Sequence, residues 1–248
     1  MLSRALIGSL VIACGLAPAA ADERPRAFLE LFTSQGCAAC PAADRLLGRF
    51  VEREDVLAVT MPVNLWDFLG WQDTLASEEL TKRQMAYSVA RGDGEVYTPQ
   101  MVVNGKADVL GSDEEAIAKA IEATGGPMPL HIALSHADDV LSIDVSDGDL
   151  EGRRVTLWLL VVHDEVTVPV GDGENRGRKL TYHNVVREMR PVGMWKGGAM
   201  RLELPLADLE RDPSAGCIVI AQVDTFKGPG RILGAAKIER LFAGDGTQ

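Results

Sequence analysis

Cys37 and Cys40 stand three positions apart in the stretch TSQGCAACPAAD, residues 33–44, with Gly36 before them and Pro41 after. That spacing suits three chemistries: a metal clip, a structural staple, or a pair that exchanges electrons with other thiols. Structural zinc needs two further ligands. Cys217 is single, and of His131, His136, His163 and His183 only the first two have ligand-pair spacing, inside a strand pattern. Copper(I) suits two soft thiolates and stays open, as does a structural disulfide. Exchange is favoured if the pair sits where a strand turns into a helix. There the helix N–H groups lower the pKa of the first thiol, so Cys37 is the nucleophile. Cys40, one turn into the helix and more buried, attacks the mixed disulfide on Cys37 and releases the partner. No cofactor and no metal is called for.

The elements around the pair give it that setting. Residues 26–33 form an apolar strand pattern. Residues 41–54 follow as a helix with Leu46, Leu47, Phe50 and Val51 on one face and Pro41 in the first turn. Residues 56–64 are a second buried strand. An aromatic loop carries Trp66, Phe68 and Trp71, suited either to an apolar rim for a partner peptide or to packing under the connection. A second helix is capped by Ser77 and ends at Gly92. Two short strands flank Asn104-Gly105, and Ser112 caps a third helix closed by Gly125, Gly126 and Pro127.

Beyond residue 129 the helical period gives way to strands, with a residual helical pattern over residues 180–190. The expected fold is an α/β domain over residues 22–127 followed by a mostly β, sandwich-like domain over residues 128–248. In the second, the loop GDGENRGRK, residues 171–179, lacks the arrangement of a phosphate loop. Arg176 and Arg178 are expected to bridge to acids. If this loop folds over the Cys37 turn, it restricts which partners enter. Cys217 opens a buried strand pattern and reads as a small hydrophobe.

Residues 1–21 carry one arginine, an apolar run too short to span a bilayer, and an alanine-rich end, the pattern of a secretory signal. The chain is therefore expected to be periplasmic or secreted, without a transmembrane span. Cleavage after Ala21 is favoured over a lipid anchor at Cys14. Removing the signal leaves 24 basic and 36 acidic residues, net −12. Nucleic acid and anionic membranes, which demand clustered Lys and Arg, are poor partners for such a chain. Protein or peptide thiols and disulfides, and a redox partner protein, fit better.

CAACP after a buried strand, followed downstream by YTPQMVVNG, resembles the thioredoxin fold. That resemblance implies a cis-proline at Pro99 lying against the cysteine turn, with Thr98 offering its backbone to a bound peptide strand. It also implies that Glu30, on the first strand, is a buried acid moving a proton to or from Cys40. The blocks LELFTSQGCAACPAADRLL, LWDFLGWQD, YTPQMVVNG and GENRGRKLTYHNVVREMRPVG together resemble the bacterial exported family catalogued as domain-of-unknown-function family 1223, over residues 28–239. Membership implies a thioredoxin-like α/β domain and export, with no established substrate. A thiol–disulfide oxidoreductase is the expected activity; the alternative is a protein-binding module whose disulfide is structural.

Overall fold

The computed structural model describes residues 24–241, apart from 138, 151, 210–214 and 240. The expected secretory signal over residues 1–21, with Cys14, lies outside the described residues. An α/β portion comes first: β1 (Ala27–Thr33), α1 (Cys40–Val51), β2 (Val56–Pro62), α2 (Glu78–Arg91), β3 (Gln100–Val103), β4 (Ala107–Leu110) and α3 (Glu114–Glu122). A mostly β portion follows: β5 (Ile132–Ala137), β6 (Val140–Val145), β7 (Arg154–Pro169), β8 (Lys179–Trp195), β9 (Met200–Pro205), β10 (Ala215–Thr225) and β11 (Gly228–Ile238).

One eight-stranded sheet of order β11-β10-β7-β8-β2-β1-β3-β4 runs through both portions. β1 pairs parallel with β2, and β2 pairs parallel with β8 at Thr60 and Val185. Two side-chain bonds reinforce that seam: Thr60 Oγ1 donates to the His183 carbonyl, and Asn184 Nδ2 donates to that of Ala58. β5, β6 and β9 form a separate three-stranded sheet.

Every residue of β1 is buried, because helices cover both faces of the strand. Leu29 and Leu31 pack with Leu46, Leu47 and Phe50 of α1, while Phe28 and Phe32 pack on the other face with Leu80 and Tyr87 of α2. The three-stranded sheet packs Leu141 and Ile143 onto Leu157, Leu159 and Val219 of the large sheet. Ser77 caps α2, its side chain accepting from Leu80 N–H. At α3 the cap is Asp113 rather than Ser112; its carboxylate accepts from Ala116 N–H and has the shorter reach to make. Asn104 and Gly105, at φ 51° and 65°, form the β3–β4 turn, where the left-handed backbone suits these two residue types.

Residues 180–190 are strand, not helix. β8 carries an extra residue, Arg187, at the register shift opposite Val161 and Val162. The bulge breaks the two-residue alternation and leaves Tyr182, Val185, Val186 and Met189 with helix-like spacing. At about 3.3 Å per residue, the β7–β8 hairpin is an arm roughly 50 Å long. Its length carries residues 170–178 back to the α1 end of the sheet.

Candidate functional site

Cys37 and Cys40 form a disulfide at the turn from β1 into α1, with Cα atoms 5.4 Å apart. Cys40 is the first residue of α1, and Pro41 follows where no helix N–H is needed. Cys40 is fully buried and Cys37 only 6% exposed, while Ala38 and Ala39 between them face solvent.

Two loops hold this turn. In the one after β2, Trp66 lies against Gly36, where an added Cβ would come within 3.0 Å of the Trp66 side chain. The Trp66 indole N–H donates to Thr98 Oγ1 at 2.7 Å. Trp71 donates its indole N–H to Gln35 Oε1, and the Asp73 carboxylate accepts from the Gln35 backbone N–H. Trp66 and Trp71 are therefore half-buried supports, whereas Phe68, 77% exposed beside Trp66, forms a rim. The Thr98–Pro99 peptide is cis. The Pro99 carbonyl accepts from Gly111 N–H, and Gly111 sits between Leu31, Pro99 and Ala43 of α1.

The second loop comes from the β-rich portion. Asn175 is fully buried and donates through Nδ2 to the carbonyls of both Gln35 and Cys37, each at 2.9 Å. Glu174 Oε2 accepts from Ala38 N–H at 3.2 Å. Arg178 donates to Asn175 Oδ1 rather than to an acid, and so steadies the loop itself. The loop at residues 171–179 does fold over the Cys37 turn.

The acid beside the pair is not the one expected. Glu30 is buried on the α2 face of β1, away from α1, and both its oxygens are taken: Oε1 by Arg83 Nε and Oε2 by the Tyr87 hydroxyl, each at 2.6 Å. Strand alternation sets this, since Leu29 and Leu31 take the face toward α1. Asp44 stands instead one helical turn after Cys40, on the same side of α1. Its Oδ1 accepts from Thr33 Oγ1 at 2.7 Å, and its buried Oδ2 has no partner. Burial pushes the Asp44 carboxyl up to about 8, against the opposing effect of the Thr33 hydrogen bond. Burial likewise raises Asp73, despite three backbone N–H groups bonded to its carboxylate, and holds the Tyr182 hydroxyl far above its ordinary value, with Asp44 and Asp73 adding to the effect. A polar residue on the apolar face of α1, four after Cys40, was the signal for Asp44. The loop at residues 171–179 stood out in the sequence, but nothing local marked Asn175 and Glu174 within it, whose partners lie more than 130 positions away.

Cys217 is free and buried, and burial pushes its thiol up to about 12. Among the described residues, no group of three or more His, Cys, Asp or Glu side chains is placed to hold a metal, and no helix is long and apolar enough to cross a membrane.

A Cys-x-x-Cys disulfide at a strand-to-helix turn of a mixed sheet puts this chain among the α/β proteins that carry such a pair at the start of their first helix. Over 87 residues, 35% of this chain and 76% of the relative, it is 30% identical to an Archaeoglobus fulgidus protein named "Probable Thioredoxin". Residues 28–222 match the family model described as "Protein of unknown function (DUF1223)", and the chain belongs to that family. A crystal structure of a protein from Agrobacterium tumefaciens is similar at a TM-score of 0.79 and 34% identity, covering 92% of this chain and 98% of that one. HBP35 of Porphyromonas gingivalis shares the fold at a TM-score of 0.59 and 16% identity, over 88% of this chain and 76% of that one.

Proposed function

We propose that this protein is an exported thiol–disulfide oxidoreductase with a thioredoxin-like α/β portion and a sandwich-like β portion, acting on protein or peptide thiols. The observation that carries the proposal is the Cys37–Cys40 disulfide at the start of α1 with the buried Asp44 carboxyl one turn behind Cys40. When the reduced pair acts, the Cys37 thiolate attacks a partner disulfide, and the partner's second sulfur leaves as a thiolate. Cys40 then passes its proton to the Asp44 carboxylate and attacks Cys37 Sγ, releasing the partner's first sulfur and closing the Cys37–Cys40 bond. The reverse sequence oxidises a dithiol partner, with Asp44 returning the proton to Cys40. A carboxyl poised near 8 serves both directions at neutral pH. The exposed Phe68 beside Trp66, which in turn bonds Thr98, supports docking of an extended peptide along Thr98 and Pro99.

One observation favours a second reading. Cys37 is nearly covered, and Asn175 grips its carbonyl, as suits a structural disulfide in a protein-binding module. The reduction potential separates the two. Equilibration with glutathione buffers and trapping of the thiols is expected to give a midpoint between about −120 and −270 mV. A midpoint below about −300 mV would make the disulfide structural and the binding module the better account.

A further inference from the structure

α1 begins without a capping side chain of its own: Ala39 is the N-cap, and the first turn holds no acid. Three other donors at the turn are already used. Gly36 N–H goes to Ser34 Oγ, Cys37 N–H to the Ser34 carbonyl and Cys40 N–H to the Cys37 carbonyl. Ala38 N–H, the first donor after the nucleophilic position, goes to the carboxylate of Glu174, which arrives from the β7–β8 loop. The loop is fixed there by the two bonds from Asn175, so the charge is placed by the β-rich portion and not by the chain around the cysteines. On the same loop, Arg178 donates to Asn175 Oδ1 and so steadies the segment that carries Glu174.

We propose that Glu174 is a positioning residue that sets the redox poise of the Cys37–Cys40 pair, a role that deepens the exchange activity and rests on it. The Glu174 carboxylate takes the Ala38 N–H, one residue before the N-cap Ala39, and puts negative charge where a Cys37 thiolate needs positive potential. The disulfide carries no charge and is indifferent to it. The reduced form, which carries the thiolate, is disfavoured, and the couple is held toward the reducing side. The β-rich portion thus holds the poise of a pair lying in the other portion.

The test is Glu174→Gln, which keeps an acceptor for Ala38 N–H and removes the charge, with Glu174→Asp as the charge-retaining control. In the reaction measured, two glutathione thiols give up two electrons to the protein disulfide, yielding the dithiol and one glutathione disulfide. For an exposed, screened carboxylate, E174Q is expected to raise the equilibrium constant toward the dithiol about threefold and to lower the Cys37 thiol pKa by about half a unit. Both effects should shrink in high salt, and E174D should stay near wild type. A merely structural tie, lost in Glu174→Ala, would lower that variant's unfolding midpoint without moving the thiol pKa. Unchanged thiol pKa and unchanged equilibrium in E174Q, with the protein folded, overturn the inference. Failure of the exchange activity is seen separately, as wild-type protein that transfers no disulfide to or from a peptide substrate while these thiol titrations still proceed.

Discussion

Asp44 is protonated inside the fold at a pH where the same side chain in the unfolded chain is ionised. Its carboxyl stands near 8 in the protein, against 3.8 for an unconstrained aspartate, chiefly through burial. Between those two values the unfolded state binds fewer protons than the folded state, so stability falls as pH rises, and levels off above about 8. Asp73, also raised by burial, adds a slope of the same sign. Asp44→Asn removes the Asp44 share. The difference in urea midpoint between wild type and D44N is expected to shift in favour of the variant from pH 4 to pH 8, by an amount worth several kcal/mol. A pH-independent difference would mean that Asp44 is ionised in the fold and unsuited to carry the Cys40 proton. The cysteine pair was legible in sequence because its residue types and spacing are local, whereas Thr98-Pro99 was marked only through the resemblance to the thioredoxin fold. Which acid stands near Cys40 was not legible, since the face a strand residue takes depends on which helices pack on either side. On β1 that choice sends Glu30 to Arg83 and Tyr87.

Among the elements, the β7–β8 hairpin has the reach to act at a distance. Its loop is tied to the cysteine turn by one buried amide, Asn175, which satisfies two backbone carbonyls at once. Asn175→Ala leaves the Gln35 and Cys37 carbonyls without these donors. The Cys37 carbonyl keeps its bond from Cys40 N–H, so a loss of about 1–2 kcal/mol is expected in urea unfolding, the usual size for one buried group left unpaired. Alkylation of Cys37 in the reduced variant should quicken severalfold, because the strap over it loosens. An unchanged alkylation rate would show that the loop does not control access. The β1–α1–β2 order, the cap of α2 and the Asn104-Gly105 hairpin could all be read from local signals. β8 could not be, because the bulge at Arg187 replaces strand alternation with spacing that mimics a helix. A bulge answers to the partner strand, and a single strand's sequence does not name its partner.

At the scale of the whole molecule, the two portions differ in texture along the sequence yet share a core. Phe28, Phe32, Val59 and Met61 from the α/β portion pack in one cluster with Leu160, Val186, Ile218 and Ile220 from the β-rich portion. Buried polar groups cross the same boundary: Arg83, already paired with Glu30, donates from Nη2 to Gln222 Oε1, and Gln222 donates from Nε2 to the Tyr87 hydroxyl. We therefore propose that residues 22–127 and 128–248 are two regions of one folding unit. Cutting the chain at residue 127 would expose the β2 edge, remove Leu160, Val186, Ile218 and Ile220 from the shared cluster, and strip Arg83 of one of its acceptors. Residues 22–127 made alone are expected to aggregate or to unfold without a cooperative transition, whereas residues 22–248 together should melt in a single two-state step. Co-expression with residues 128–248 should recover soluble protein, because the seam at Thr60 and Val185 and the shared cluster can form between separate chains. A fragment of residues 22–127 that folds cooperatively and keeps the wild-type reduction potential would separate the portions. It would also remove the β7–β8 loop from any part in setting that potential.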